Sequence, residues 1–344
     1  MASLIPGLPD DVALFCLARV PRRLHPLLRC VSRSWRDVVG SSDALYRYRK
    51  KHSLDETWVY ALCGGDKSDE HSCYVLDPKS KTRCWRLVRG LPQQCMRRKG
   101  MGFEVLGRRC YLMGGCGWFQ DGTDEVYCYD AAVDAWDAAA APMATPRCFF
   151  ACETLDQKLI TVGGAQLNSS DPLSWDTYDP STNRWTCHSE PNAAPDIAES
   201  VVLDGKMYIR CLSLSPPHVC SFVYEPSSGT WKQADEDMAS GWRGPAVVVD
   251  GTLYVLDQSS GTRLMKWEKE SREWIAVGRL SPLLTRPPCR LAAVDKSIFI
   301  IGKGLSTVVF DVEKAGNMGG VMVSSSIAGL ASVENVISCK TMTM

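Results

Sequence analysis

A tryptophan that returns at near-constant spacing constrains the fold of this chain more than any other feature. Trp85, Trp136, Trp185, Trp231 and Trp274 are separated by 51, 49, 46 and 43 residues. Each tryptophan ends a unit made of an apolar run, often two glycines, a variable loop, and a strand that ends in Tyr or Phe near an acid. A strand-built repeat of this length is typical of a propeller blade. The chain is therefore predicted to form a β-propeller.

The second copy of the repeat shows how one unit is built. It reads CYLMGG (110–115), VYCYD (126–130) and AW (135–136), with the strand MGFEVLG (101–107) just upstream. Four short strands make one blade, and the tryptophan is expected to pack between neighbouring blades with its N–H near a partner. A sixth copy, which begins IFIIGKG (298–304), lacks the tryptophan. Six blades are therefore expected.

The first copy has no upstream strand, because residues 52–56 are too few and too polar to form one. In the C-terminal segment, GVMVSSS (320–326) suits the outer strand of the sixth copy. We expect a strand around Ala331 to Val336 to complete the first blade and close the ring. The stretch 130–143 is rich in alanine, which favours helix. The repeat register predicts a turn and a strand there instead.

The first fifty residues follow a helical pattern instead. Pro9 and the acids Asp10 and Asp11 predict a helix start, and the following VALFCLARV (12–20) is apolar on nearly every side. Ser32 is expected to cap a break between two short helices further on. A unit of this size lies near the lower limit for a self-sufficient core. Part of its apolar surface should therefore face the propeller or another protein.

Both parts of the chain resemble known families. The repeat, with Gly-Gly, Tyr-Asp and Trp in fixed order, resembles kelch repeats over residues 57–339. The segment 8–39 opens with Leu-Pro, continues as L-x-x-L-L-R-C-V-S-R-S-W-R, and resembles an F-box. This arrangement resembles plant F-box/kelch-repeat proteins. It implies a mainly β fold, with a three-helix F-box domain over residues 1–50 followed by a six-bladed kelch propeller over 51–344, closed by the C-terminal segment.

The resemblance also implies a function. Proteins of this kind are substrate receptors of SCF-type cullin-RING ubiquitin ligases. The F-box would dock on a Skp-family adaptor, and through it on the cullin scaffold, while the propeller would hold a target for ubiquitination and proteasomal degradation. By analogy alone, a metabolic enzyme is a reasonable target class. The adaptor contacts implied by the F-box pattern are Leu8, Pro9, Val12, Leu17, Leu27, Val31 and Trp35.

One face of the propeller is the expected target site, because loops from different blades converge there around the channel. The resemblance implies polar contacts just before the upstream strands, where Glu199 stands in the fourth blade. Other blades carry arginine there, and the matching positions are Arg98, Arg147, Arg243 and Arg290. Such arginines would favour an acidic or phosphorylated segment, or they make contacts between blades. Trp118 and Phe119, in the loop after two glycines, are the expected aromatic anchors, or they fold back on the rim of the propeller.

Composition excludes several functional classes. Lys plus Arg equals Asp plus Glu at 39 each, so no overall field attracts nucleic acid or an anionic membrane. No apolar run is long enough to span a bilayer. The N-terminus lacks a signal-peptide pattern, so a cytoplasmic or nuclear location with reduced thiols is expected. Of the 16 cysteines, seven in strand-like runs are expected to fill the core: Cys63, Cys73, Cys84, Cys110, Cys128, Cys211 and Cys220.

No catalytic or metal-binding pattern stands out in the sequence. The pairs His71-x-Cys73 and His218-x-Cys220 each lack the second ligand pair that a zinc site requires. We therefore expect no cofactor and no catalytic residue. Two alternatives remain at this point. One is a metal-dependent kelch enzyme, a copper oxidase or an iron-dependent specifier, which would need ligands converging at the channel mouth. The other is a non-ligase scaffold whose helices pack on its own propeller.

Overall fold

The computed structural model describes residues 3–40, 43–64, 70–118, 121–137, 140–164, 174–189, 197–212, 219–259, 261–281, 285–317, 324–330 and 335–344.

Helices form the N-terminal part of the chain. They are α1 (Asp10–Ala18), α2 (His25–Val31), α3 (Arg33–Gly40) and α4 (Asp43–Lys51), with a 3-10 turn at Arg22–Leu24. The sequence predicted three helices, and α4 is the additional one. Ser32 separates α2 from α3, and its hydroxyl accepts a hydrogen bond from the Trp35 amide at 3.1 Å. The predicted helix cap is therefore confirmed.

Six four-stranded antiparallel sheets form the blades of a propeller. Blade 1 joins β1 (Thr57–Gly64), β2 (His71–Leu76) and β3 (Arg86–Val88) to the C-terminal strand β24 (Asn335–Thr343). Blade 2 contains β4 (Gly102–Leu106), β5 (Arg109–Met113), β6 (Val126–Asp130) and β7 (Ala135–Asp137). Blade 3 contains β8 (Ala151–Leu155), β9 (Lys158–Val162), β10 (Ser174–Asp179) and β11 (Arg184–Ser189).

Blade 4 contains β12 (Ile197–Leu203), β13 (Lys206–Leu212), β14 (Val219–Glu225) and β15 (Thr230–Gln233), and α5 (Glu236–Gly241) follows it. Blade 5 contains β16 (Ala246–Val249), β17 (Thr252–Asp257), β18 (Arg263–Glu268) and β19 (Glu273–Arg279). Blade 6 contains β20 (Arg290–Val294), β21 (Ser297–Ile301), β22 (Thr307–Asp311) and β23 (Ser324–Ile327), with α6 (Val312–Asn317) before its last strand. The six-bladed prediction is confirmed, and β7 shows that repeat register prevailed over alanine content.

Closure of the ring by the C-terminal segment is also confirmed, and the closing strand extends further than predicted, to Thr343. β24 pairs antiparallel with β1, from Thr57 opposite Thr343 to Gly64 opposite Asn335. The strand predicted around residues 331–336 overlaps β24 at Asn335 and Val336, and residues 331–334 lie outside the described part. The pairing places Met342 opposite Trp58. Burial of the apolar side chains near the C-terminus thus sets the register, which the sequence pattern did not show.

The repeated tryptophans join neighbouring blades as predicted. Trp85 of blade 1 donates from Nε1 to the Thr307 hydroxyl of blade 6 at 3.2 Å. Trp185 of blade 3 donates to the Ala141 carbonyl, in the segment that follows blade 2, at 2.9 Å. Trp85 and Trp185 therefore pack at boundaries between blades and satisfy their N–H groups there. The buried Nε1 atoms of Trp136 and Trp231 have no hydrogen-bond partner among the described residues.

The cysteines expected in the core are mostly buried. Cys63, Cys73, Cys110, Cys128 and Cys211 are buried, and Cys220 is half-buried. The prediction was wrong for Cys84, which is exposed because it lies in the turn that precedes β3 rather than in the strand itself. All 16 cysteines are free thiols.

Arginines fasten the helical part to the propeller. Arg22 is buried, donates to the Tyr60 hydroxyl at 2.5 Å, and holds its guanidinium 4.2 Å from the centre of the Trp58 ring. Arg29 donates to the Val133 carbonyl, in the turn between β6 and β7, at 2.6 Å. Charge-assisted hydrogen bonds and cation–π contacts of this kind resist separation once they are desolvated. The helices are therefore fixed on blades 1 and 2.

Candidate functional site

The helical part keeps an apolar surface exposed on the side that does not touch the propeller. Leu27 is 64 % exposed and Val31 61 % exposed, and both lie on α2 one turn apart. Leu8 and Val12 are exposed at the start of α1. Such side chains normally seek burial, so a cluster of them indicates a protein interface. We call Leu8, Val12, Leu24, Leu27 and Val31 the apolar helical surface.

Two of the predicted adaptor contacts do not belong to this surface. Leu17 is buried with Val39 and Leu45 in the core of the helical part, so its assignment as an adaptor contact was wrong. Trp35 packs against the same core and donates from Nε1 to the Leu4 carbonyl at 2.6 Å. It therefore holds the N-terminal segment against α3. From the sequence alone, an apolar helix face that packs inside its own unit cannot be distinguished from one that docks on a partner.

The remaining adaptor positions are accessible. Pro9 precedes the first residue of α1 and is exposed, next to the exposed Leu8. Val12, Leu27 and Val31 are exposed as well. Their contact with an adaptor stays a prediction.

The two faces of the propeller differ in what they carry. Each blade has four antiparallel strands, counted from the innermost strand at the axis to the outermost. Because neighbouring strands are antiparallel, the connection that leads into the innermost strand lies on the same side of the propeller as the connection between the second and third strands. We call this side the entry face. The turn between β6 and β7, which contacts Arg29 of the helical part, lies on the opposite side. The helices therefore sit on one face, and the predicted target site lies on the other.

Arg147 does not reach the entry-face surface. Its side chain is fully buried and donates to Asp176 at 3.1 Å, to the Gly163 carbonyl at 2.7 Å and to the Ser174 hydroxyl at 2.9 Å. The prediction of Arg147 as a target contact was therefore wrong. The alternative of a contact between blades fails as well, because all three side-chain partners belong to blade 3. The side chain organises the loop ends of its own blade.

Two of the other predicted arginines are engaged locally. Arg98 donates to Glu125 at 2.6 Å, and this hydrogen bond lowers the pKa of Glu125. Arg290 donates from Nε to the Ile337 carbonyl at 2.6 Å, which is a contact between blades 6 and 1. Both have part of their guanidinium committed within the protein. Their role in target binding stays a prediction.

Arg243 is exposed on the connection between α5 and β16. Its Nε donates to the Ser240 carbonyl at 3.0 Å, which leaves the terminal nitrogens directed to neither a carboxylate nor a carbonyl among the described residues. Of the predicted arginines it is the most accessible on the entry face.

Two aromatic rings are exposed on the entry face. Trp118 is 67 % exposed, and the Lys99 ammonium lies 4.2 Å from the centre of its ring. Phe119 lies outside the described residues. Phe149, which the sequence analysis did not single out, is 63 % exposed and precedes β8. The sequence did hold a sign that this position is unusual. The corresponding residue of blade 2, just before β4, is a glycine, Gly100.

The axis of the propeller is a polar channel of about 390 Å³ lined by the inner strands of all six blades. Lys340 of β24 lies 2.5 Å from Glu104 and 3.1 Å from Glu153, which in turn accepts from Ser200 at 2.8 Å. Burial raises the pKa of Glu104, and Lys340 counteracts it. The network links the closing strand to blades 2, 3 and 4.

Glu199, the predicted acid of the fourth blade, also lines the channel. Burial raises its pKa to about 7, while the charges of Arg290 and Arg210 oppose that shift. Its position thus differs from that of the exposed entry-face cations. We find no close group of three His, Cys, Asp or Glu side chains suited to a metal ion within the described part of the chain. His218 lies outside that part, and Cys73 is buried in β2. No described helix has the length and apolar character to cross a membrane.

Comparison with known proteins agrees with both parts of this architecture. An F-box domain model matches residues 5–45, and Kelch motif models match residues 97–143 and 146–191. The chain is similar to F-box/kelch-repeat protein SKIP4 of Arabidopsis thaliana, with 49 % identity over 341 residues that cover 98 % of this chain and 94 % of the relative. It is also 31 % identical to F-box/kelch-repeat protein SKIP30 of the same plant over 233 residues, 64 % of this chain and 63 % of that protein. The chain therefore belongs to the F-box/kelch-repeat family of plant proteins.

Proposed function

We propose that this chain is the target-recognition subunit of an SCF-type cullin-RING ubiquitin ligase. F-box/kelch-repeat proteins are in general non-catalytic substrate adaptors, and an F-box indicates a Skp-type adaptor as partner. The apolar helical surface would bind that adaptor, and the adaptor would connect the chain to the cullin scaffold. The propeller would bind the target, which would then be ubiquitinated and degraded by the proteasome.

The observation that carries this proposal is the exposure of Leu27 and Val31 on a helical unit whose other side is already fixed to the propeller. A cap that served only its own propeller would have turned its largest apolar side chains inward. Burial of each such side chain contributes about 1.5 to 3 kcal/mol, so leaving them exposed is costly unless a partner covers them. A protein partner with an apolar groove is the simplest occupant.

The chain would contribute no chemical step of its own. Ubiquitin transfer would be accelerated because one complex holds the target near the ubiquitin-bearing enzyme, which raises their effective concentration. The arrangement suits this task. Arg22 and Arg29 fix the helices to one face of the propeller while the opposite face stays free. A complex of this kind would be expected in the cytoplasm, the nucleus or both, and a metabolic enzyme remains our proposed class of target.

Co-expression with a Skp-family adaptor tests the proposal. We expect the wild-type chain to co-elute with the adaptor in size-exclusion chromatography at equal stoichiometry. The double variant Leu27→Asp/Val31→Asp should stay folded, because both side chains are exposed, and should lose the complex. Ile275→Asp is the matched control, since Ile275 is 46 % exposed on β19, away from the helices, and should retain it.

The proposal fails if the wild-type chain is folded and monodisperse but forms no complex. A complex that survives the double variant would place the adaptor elsewhere than on the apolar helical surface. In the first case the scaffold alternative, in which the helices serve only the propeller, would gain support.

A further inference from the structure

Phe149 adopts a backbone conformation that side chains other than glycine avoid. Its φ is +54°, in the left-handed region, and its ring is 63 % exposed. A bulky residue with positive φ is strained, because its Cβ crowds the following carbonyl oxygen. This residue is unfavourable for the fold in two ways, because its backbone is strained and its apolar ring is exposed to water. It therefore points to a function served by the ring.

The neighbouring blade shows what the fold alone would require at this position. Gly100 occupies the corresponding place before β4 and has φ +67°. Its carbonyl accepts a hydrogen bond from the Phe149 amide at 2.8 Å, so the two positions are in direct contact. Glycine satisfies this conformation without strain. The phenylalanine of blade 3 is therefore not needed for the turn that it occupies.

A second exposed ring lies close by. Trp118 is covered on one face by the ammonium of Lys99, the residue before Gly100, at 4.2 Å from the ring centre. The Lys99 backbone is held against Cys116 by two hydrogen bonds of 2.8 and 2.9 Å, which fix the start of the loop that carries Trp118. Phe149 and Trp118 thus flank the short segment of residues 99–100. We call Trp118, Phe149 and Lys99 the aromatic patch.

The charge of the entry face indicates what accompanies an apolar ligand group. Four exposed cations on it form no ion pair with any described residue: Lys99, Arg243, Arg286 and Lys303. The segments of the last two are held together, since the Lys303 amide donates to the Arg286 carbonyl at 2.9 Å. Asp121, in the same connection as Trp118, is an exposed acid on this face, while Glu70 and Glu125 pair with Arg97 and Arg98. Exposed cations without an ion pair thus outnumber such acids among the described entry-face residues, which favours an acidic partner.

We propose that the aromatic patch is the anchor point for a target segment that carries a large apolar side chain next to an acidic residue. The apolar side chain would pack against Phe149 and Trp118, and the neighbouring carboxylate would pair with Lys99. Two rigid aromatic rings with few rotatable bonds are suited to such an anchor. This inference rests on the proposed function, since it names the chemistry of the segment that the propeller would select.

Selection from a phage-displayed library of random peptides on the immobilised full-length chain tests the proposal. The peptides enriched on the wild type are then synthesised, and their affinities are measured for the wild type and for Phe149→Gly, Trp118→Ala and Lys99→Gln. Ile275→Ala serves as the control for loss of an exposed apolar side chain elsewhere. The thermal midpoint of each variant is recorded in parallel.

We expect the enriched peptides to share an aromatic or large aliphatic residue beside Asp or Glu. Phe149→Gly and Trp118→Ala should each weaken binding by about 30-fold, the loss typical of a hot-spot residue. Lys99→Gln should weaken it less, and Ile275→Ala should leave it unchanged. Phe149→Gly should have a thermal midpoint equal to or above that of the wild type, because glycine relieves the left-handed strain.

Three results would overturn the proposal. The first is that no peptide is enriched, or that enriched peptides bind Phe149→Gly as tightly as the wild type. The second is enrichment of sequences without a carboxylate. The third is a lower thermal midpoint for Phe149→Gly, which would assign the ring to the fold. Adaptor binding is measured on the same proteins. Peptide binding without adaptor binding would refute the ligase function alone. Adaptor binding without peptide binding would refute only the role of the aromatic patch.

Discussion

Replacing Lys340 by methionine should destabilise the propeller at β24, the strand that closes the ring. Lys340 belongs to β24 and is the cation between Glu104 and Glu153, at 2.5 and 3.1 Å. The side chains of these acids are only 6 % and 12 % exposed. Methionine retains most of the volume and the unbranched shape of lysine, so the change removes the charge with little disturbance of packing.

The magnitude follows from the carboxylates that the variant leaves behind. Two nearly buried like charges with no cation between them cannot both stay ionised, so one of them takes up a proton. At about pH 9, keeping a proton on Glu104, whose pKa is about 7 in the wild type, costs about 3 kcal/mol. That is also the usual loss when one partner of a buried ion pair is removed. We therefore expect the free energy of unfolding to fall by about 3 kcal/mol near pH 9 and by less near pH 7.

Equilibrium urea unfolding, followed by tryptophan fluorescence, measures this loss. The penalty should shrink as the pH falls from about 9 towards 7, because the wild-type Glu104, with a pKa of about 7, then also takes up a proton in the folded state. Lys266→Met, which removes a partly exposed ion pair to Glu268, is the matched control and should cost at most about 1 kcal/mol. Adding Glu104→Gln to Lys340→Met should restore part of the stability. A loss below about 1 kcal/mol near pH 9, or one that does not change with pH, would refute this reasoning.

Other predictions concern single contacts. Burial and the charge of Arg49 lower the pKa of His25 to about 4, so the unfolded chain binds the proton more tightly. Stability should fall by about 3 kcal/mol as the pH drops from about 6.5 to 4, and His25→Gln should flatten that dependence in pH-dependent unfolding. Arg147→Met should cost about 3 to 5 kcal/mol in urea unfolding by leaving Asp176 buried and unpaired, whereas the exposed Arg243→Met should change stability by under about 0.5 kcal/mol. Gly114→Ala, whose Cβ would lie 2.4 Å from the Arg147 carbonyl oxygen at φ +62°, should lower the thermal midpoint, and an unchanged midpoint would contradict the close approach.

The candidate sites could be predicted from the sequence only in part. The sequence motif of an F-box determines the helices that carry Val12, Leu27 and Val31. The exposure of these three side chains agrees with the docking surface inferred from that motif. The same pattern assigned Leu17 to that surface, although it is buried. An apolar side chain has the same identity whether it faces a partner or its own core. Only the packing of α1 against the other helices separates the two cases.

The propeller face shows the same limit for polar residues. Arg98, Arg147, Arg243 and Arg290 occupy similar places in the repeat, yet Arg147 is fully buried while Arg243 is exposed. The difference arises from Asp176, which lies 29 residues away and supplies a buried counter-charge at 3.1 Å. A repeat register places a residue along the chain. It does not show which partner meets that residue across the blade.

The sequence by itself determined the architecture, because spaced tryptophans, glycine pairs and alternating strands are local patterns that repeat in every blade. It also indicated that the C-terminal segment closes the ring, since the first copy lacked a strand. Tertiary structure decided the register of β24, the burial of Leu17 and Arg147, and the strained exposure of Phe149. Each of these depends on contacts between residues far apart in the chain. The burial and the charge partner of such a residue are determined by its neighbours in space and not by its neighbours in sequence.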